Sequence, residues 1–247
     1  CEKIPGADVD VVTTAIGADA RVRRKYLKGG LGFGGPCFPR DNLAFQRCAE
    51  DAGACAHLSP RVVEVNNDVV NRLFMMICEH DYPGSTVALL GLSYKPGTRI
   101  VEESQSLMLA ERLLDAGYIV RMHDPKALGS AEEVLDGRGA YCDCPYDAVS
   151  GASAMVLLTP WPEYSRLDIS RLEERMGSSP LLIDCWRVYR NTTFKKLEYR
   201  AFGAAGQPHS GAARDLLAEL VLPHDLRRQP APDRPSLQRP ELAVERR

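Results

Sequence analysis

No apolar run in the sequence approaches the ~18 residues that a membrane-spanning helix requires, so a helical membrane protein is excluded. An excess of one charge sign is also lacking. Lys and Arg number 31 against 33 Asp and Glu, a net charge of −2, which offers no broad positive field for nucleic acid or another polyanion. No CxxC pair occurs among the eight cysteines, at positions 1, 37, 48, 55, 78, 142, 144 and 185. Cys142-x-Cys144 alone is a weak metal signal, and ample core-forming residues remove the need for a disulfide framework. Free thiols in a reducing cytoplasm fit best, with room for one of them to be a nucleophile. No Met or signal peptide precedes Cys1, and Cys1-Glu2-Lys3-Ile4 carries no cap or turn residue, so the chain is expected to be a fragment or one half of something larger.

What is present is a globular composition, 45% apolar and 26% charged over 247 residues, enough for one or two domains of ~100–200 residues. Residues 1–82 read as helical. Ala7 to Ile16 has apolar residues at helical spacing, Pro39-Arg40-Asp41 opens a helix running to about His57, and Ser59-Pro60 opens another that ends at Tyr82-Pro83-Gly84. The last of these is apolar over more than one stripe, which predicts burial in a core or a dimer interface. Residues 83–203 alternate. Strands are expected at Thr86–Leu92, Ile119–Met122, Ala140–Tyr141, Ala154–Leu158 and finally Leu181–Asp184. Helices fall between them at Ser104–Ala116, Ala131–Leu135, Tyr146–Ser150 and Leu167–Met176. This predicts an α/β fold, a Rossmann-like doubly wound parallel sheet following a helical segment. Beyond Phe202 aromatic residues cease and Pro and Arg accumulate. Residues 204–247 read as a largely disordered tail, with a helical turn or two at Leu216–Leu222.

Gly30-x-Gly32-x-x-Gly35 fits the dinucleotide GxGxxG pattern formally. The mechanism needs a buried strand just before the glycines, however, and Arg21, Arg23, Arg24, Lys25 and Lys28 cannot make one. Side-chain-free backbone can instead approach a ligand closely. Cys37 follows directly, at the start of the Pro39 helix, where the positive helix end and Arg40 favour a thiolate. Asp41 lies about one turn further, able to position water or handle a proton. A small buried thiol and a surface carboxylate are the plainer reading. That reading is preferred for Cys48, Cys55 and Cys78.

Lys25-Tyr26-Leu27-Lys28-Gly29-Gly30-Leu31-Gly32-Phe33-Gly34-Gly35-Pro36-Cys37-Phe38-Pro39-Arg40-Asp41 resembles the catalytic-cysteine segment of the UDP-glucose/GDP-mannose (nucleotide-sugar) dehydrogenases. Gly91 to Thr98, with Glu103-Ser104, resembles the opening of that family's C-terminal UDP-binding domain. His123-Asp124-Pro125 and Asp184-Cys185-Trp186-Arg187 fall at its strand-end motifs. The resemblance runs over roughly residues 1–200. It implies oxidation of a sugar C6 alcohol to the uronic acid with NAD, through a cysteine thiohemiacetal and thioester. By similarity Cys37 is the nucleophile and Asp41 assists water and protons. Tyr26, Leu27, Phe33 and Gly34 line the substrate site, Arg21 reaches a neighbouring subunit's substrate, Tyr94 and Lys95 hold the uridine diphosphate, Arg187 adds charge, and Arg40 faces the cofactor. The family architecture implies a homodimer through the 60–80 helix. The residues agree in part: Ser93–Thr98 lies where doubly wound folds bind ligands, and Lys95 supplies a point charge for phosphate. Asp124 can be read as a ribose-binding acid or, more plainly, as a turn-forming Asp-Pro.

The sequence also departs from the family. Its N-terminal NAD domain has no counterpart here, so the cofactor is expected to sit on a domain absent from this chain or on a separate NAD-binding subunit. Where the family has Asp-Asp-x-Arg-Glu-Ser, this chain reads Arg99-Ile100-Val101-Glu102-Glu103-Ser104, so Glu102 reverses a cofactor-facing charge. Arg40 stands for a lysine and Val69 for a glutamine. Two readings follow: the C-terminal portion of a UDP-glucose 6-dehydrogenase-like enzyme, inactive as this chain alone, or a non-catalytic UDP-sugar-binding and dimerisation module derived from that family. Neither involves a metal, a membrane or nucleic acid.

Overall fold

Three helices come first. α1 (Val9–Gly17) starts behind Asp8, whose carboxylate accepts the Asp10 N–H at 2.7 Å and so satisfies one of the unpaired donors of the first turn. α2 (Phe38–Asp51) carries Pro39 in its first turn, where a missing N–H costs nothing. It stops well short of the expected boundary near His57. Gly53 takes the left-handed conformation at φ 72°, the Ala54 N–H bonds Ala49 O and the Gly53 N–H bonds Glu50 O, a Schellman closure. α3 (Leu58–Cys78) begins one residue before the expected Ser59 cap. Ser59 therefore lies inside the helix, where its hydroxyl donates to Asn42 O at 2.8 Å and fastens α3 to α2. These elements belong to a computed structural model that describes residues 1–205. The expected disorder of the tail and the helical turns at Leu216–Leu222 lie outside the described residues.

The sheet follows, with β1 (Thr86–Leu90), α4 (Gln105–Asp115), β2 (Ile119–His123), α5 (Leu128–Val134), β3 (Ala140–Tyr141), α6 (Pro145–Ala148), β4 (Ala154–Leu157), a 3₁₀ turn (Tyr164–Arg166), α7 (Ile169–Arg175), β5 (Leu181–Asp184) and β6 (Glu198–Ala201). All neighbours are parallel in the order β3-β2-β1-β4-β5-β6, the doubly wound arrangement, with its change of direction between β1 and β4. Leu181–Asp184 is thus not the final strand. Glu198-Tyr199-Arg200-Ala201 lacks an apolar run because it is an edge strand. Buried Glu173 leads the chain into it, Oε1 accepting the N–H groups of Lys195, Lys196 and Leu197 at 2.6, 2.7 and 3.2 Å.

Both faces of the sheet are covered, which is why its strands read as continuous apolar runs. Val87, Leu89, Val120, Val156 and Ile183 pack with Leu73 and Ile77 of α3 and Leu109 and Leu113 of α4. Ala88, Leu90, Met155, Leu157 and Leu182 face the other way, toward Tyr164 and Leu172. The start of the chain is sewn to the far edge of this sheet: the Val9 N–H bonds Gly203 O, the Ala205 N–H bonds Ala7 O, both at 3.0 Å, and the Gly203 N–H donates to Glu2 at 2.7 Å.

Candidate functional site

At the carboxyl end of the sheet, beside the switch from β1 to β4, the loop after β1 is held from within. Gly91 sits at φ 96°, and any Cβ there would stand 2.5 Å from the Thr159 backbone nitrogen. Asp124, buried at the end of β2, accepts the N–H groups of Leu92 and Ser93 at 2.7 and 3.0 Å and the Trp161 indole N–H at 3.1 Å on Oδ2. Its Oδ1 accepts the Lys126 and Ala127 N–H groups, both at 2.8 Å. Thr159 donates its hydroxyl to Ser93 O at 2.7 Å. His123 Nδ1 meets the Tyr164 hydroxyl at 2.9 Å, and burial holds this imidazole below its usual range against the pull of Asp124, Asp143 and Glu163. Both Asp124 oxygens are therefore engaged by the protein, and of the two readings of this residue the turn-forming one describes it.

The glycine-rich segment lies against that loop. Gly35, at φ 82°, donates its N–H to Glu102 O at 2.9 Å and stands under the Tyr94 ring, which leaves no room for a Cβ. A Cβ on Gly34 would run into Glu103 O, and one on Gly30 into the Trp186 ring. Glycine is required here by close approach, not by a phosphate-binding strand–turn–helix; no strand precedes the segment. Gly29 O accepts from Arg187 Nη2 at 2.8 Å. Arg187, only 7% exposed, also bonds Asp10 of α1 at 2.7 Å and the carbonyls of Cys185 and Phe202 at 3.3 and 2.7 Å. Asp10 in turn is held below the usual carboxylate range, first by its hydrogen bond from Arg187.

Cys37 follows as the exposed residue preceding α2, with no side-chain cap bond. Arg40 donates to Asp41 at 2.9 Å, and this pairing, helped by the charges of Cys37 and Glu102, holds the guanidinium above its usual range. The Phe33 and Phe38 rings flank the segment, 5.9 Å apart. Lys95 lies exposed with its ammonium 5.2 Å from the Tyr94 ring centroid. Phe33, Gly34, Tyr94 and Lys95 are thus gathered beside the segment that carries Cys37, Arg40 and Asp41. Leu27 is half-buried, Tyr26 is 89% exposed, and Arg21 turns to Asp19 at 2.7 Å.

Two residues of the site went unread in the sequence. Asn66 on α3 accepts the Phe33 N–H at 2.7 Å and donates to Phe33 O at 2.9 Å. Gln105, the first residue of α4, accepts the Gly32 N–H and donates to Asn66 O, both at 2.6 Å. A side-chain amide that reads a distant backbone leaves no periodicity or spacing by which to find it.

This is a Rossmann-like α/β domain with a cysteine-bearing loop laid against the loop that follows its first strand. Residues 88–191 match the UDP binding domain of the UDP-glucose/GDP-mannose dehydrogenase family, and residues 1–68 match that family's central domain. The chain belongs to the UDP-glucose/GDP-mannose dehydrogenase family. It is 36% identical over 211 residues to the UDP-glucose 6-dehydrogenase of Rhizobium meliloti (strain 1021), covering 84% of this chain and 47% of that protein. The UDP-glucose 6-dehydrogenase of Pseudomonas aeruginosa is 35% identical over 217 residues, with the same two coverages. Among solved structures, a UDP-glucose dehydrogenase from Pyrobaculum islandicum superposes with a TM-score of 0.70 at 33% identity, over 81% of this chain and 44% of that one. The chain spans about half the length of the curated relatives it matches.

Proposed function

We propose that this chain is the UDP-sugar-binding and thiol-bearing portion of a UDP-glucose 6-dehydrogenase-like enzyme. The observation that carries the reading is the junction of its two loops, in which Gly35 bonds Glu102 O and lies under Tyr94. A nucleotide held by Tyr94 and Lys95 would present its sugar to the Cys37 segment. Phe33, Gly34 and Leu27 would line the sugar side. Arg187 enters as the residue that fixes Gly29, its donors being engaged by Asp10 and three carbonyls. Tyr26 and Arg21, turned to solvent and to Asp19, would act across an interface with a second copy. That interface would be the α3 face bearing exposed Leu58, Val62 and Val65.

The strand ends of this sheet do not fit NAD. Asp124, at the strand end where a ribose-binding acid would stand, has both oxygens engaged, and Thr159 packs against Gly91 after β1. NAD would be bound outside these residues, on a further domain or a separate subunit. Conversion of a C6 alcohol to an acid removes two hydrides, which that site must accept. The part of this chain is the covalent one. The Cys37 thiol adds to the C6 aldehyde, forming the C–S bond and passing its proton to the new hydroxyl. Water later cleaves the thioester: Asp41 orients that water, takes one of its protons and passes it to the departing sulfur, releasing the carboxylic acid and the free thiol. A cytoplasmic setting belongs to the same proposal, supported by eight free cysteines; separately, no described helix is long and apolar enough to cross a membrane.

Glu102 favours a second reading. Its negative charge beside Arg40, where the family pattern has arginine, suits a UDP-sugar-binding module that no longer oxidises. Calorimetric titration of the 247-residue chain tests what both readings share. UDP and UDP-glucose should bind and NADH should not, and UDP-glucose with NAD should yield no NADH. Absence of binding by UDP, UDP-glucose and GDP-mannose alike overturns both readings, and NADH formation by this chain alone overturns the assignment of NAD to another site.

A further inference from the structure

Asn66 and Gln105 form a bracket around the backbone of the glycine-rich loop, and the oxygen and nitrogen of both amides are each engaged. Asn66 takes both the N–H and the C=O of Phe33, as a neighbouring strand would. Gln105 takes the N–H of Gly32 and locks onto the Asn66 carbonyl. Gln105 is buried, and the residue before it, Ser104, donates its hydroxyl to Leu92 O at 2.6 Å. The bracket is therefore anchored at the end of β1 and the start of α4, the rigid part of the sheet domain, and reaches back to α3. Gly32 has no side chain because a Cβ would occupy the place of Asn66 Oδ1. Three bonds to main-chain atoms of Gly32 and Phe33 specify where the loop lies whatever its side chains are, and the next residues along the chain lead to Cys37 and the α2 start.

We propose that Asn66 and Gln105 are positioning residues that set where Cys37 Sγ stands, by fixing Gly32 and Phe33 against the sheet domain. Neither touches the sulfur; they act through the loop. The inference rests on the reading of Cys37 as the reacting thiol. It also ties the two loops of the site together at a second place, independent of the Gly35–Glu102 bond, so that thiol and nucleotide loop keep one spacing.

The test is the rate of iodoacetamide modification, followed separately for each thiol by peptide mass spectrometry in the full 247-residue chain. Cys37 is exposed, as are Cys1, Cys48 and Cys55, which serve as internal controls. Asn66→Ala removes the Phe33 pair, and Gln105→Leu removes the Gly32 bond. Cys37 is already exposed, and releasing the loop costs it its fixed place at the α2 start. Its rate is expected to fall about threefold or more in each variant, modest beside the ~100-fold that a 1 Å misplacement can cost an enzyme. The control thiols should hold their wild-type rates. An unchanged Cys37 rate overturns the proposal, and so does a parallel change in all four thiols, which would mark general loosening. Should buried Gln105→Leu fail to fold, Asn66→Asp keeps the acceptor for Phe33 N–H and replaces the donor to Phe33 O with a carboxylate oxygen that repels it. It is expected to give a partial, Cys37-specific slowing, and a wild-type rate there overturns the proposal. Modification requires no nucleotide, so failure of the UDP titration would sink the functional reading while leaving this measurement to stand or fall alone.

Discussion

Buried polar residues at the strand ends of this chain serve the loops before they serve any ligand. Asp124 and Asp184 end β2 and β5 in the same manner, Asp184 accepting the N–H groups of Trp186 and Tyr189 at 3.1 and 2.8 Å and the Tyr199 hydroxyl at 3.1 Å. Next to Asp124, the neutral form of His123 is the one the fold favours. Its folded value lies below the ordinary 6.5, so the associated stability is complete above that pH and is lost as pH falls from 6.5 toward the folded value. Urea midpoints should decline in the wild type as pH falls below 6.5, and the slope should flatten in His123→Gln. A slope that survives the substitution would place the titrating group elsewhere. At this scale the sequence singled out Cys37, Asp41 and Lys95 as candidates, because thiol, carboxylate and ammonium beside a glycine-rich or strand-end loop advertise chemistry, while Tyr94 came only with the family resemblance. Asn66 and Gln105 are ordinary amides, and only the path of a distant backbone gives them a role.

Among the elements, periodicity made the alternation of β1 to β5 with helices legible, since strands buried on both faces must be apolar throughout. β6 escaped because an edge strand has no such demand and is held by Glu173 from α7. The early end of α2 was written in Gly53, yet a helical pattern of apolar residues running on toward His57 masks a single glycine. The asymmetry of α3 was only half legible. Its apolar breadth is real, but Val70, Leu73, Phe74 and Ile77 are buried while Leu58, Val62 and Val65 are exposed. Leu73→Ala should therefore cost about 2–5 kcal/mol in chemical denaturation, the cost of a cavity at a fully buried site. A loss under about 1 kcal/mol would mean that α3 is not packed on the sheet as described.

For the molecule as a whole, the exposed end of α3 bears on assembly. Val65 is 70% exposed in this chain, and with Leu58 and Val62 it borders an apolar groove of about 370 Å³ that also takes in Phe33. If copies pair here, Val65→Glu should convert dimer to monomer in sedimentation velocity while leaving the melting temperature of the monomer near its own starting value. A wild-type chain that sediments as a monomer at every concentration would refute the pairing. The stitch between α1 and the sheet edge has a different consequence, one of timing. Arg187 and Asp10 are separated by 177 residues, and the bridge between Asp8 and Ala204 spans still more of the chain. Contacts of such long sequence separation carry a high closure entropy and are slow to form. Gly29 is held by the same Arg187 that bonds Asp10 and Phe202 O. The loop leading to Cys37 is thus tied at once to α1 and to the chain just past β6, so a thiol in its native position reports that contacts 177 residues apart have closed.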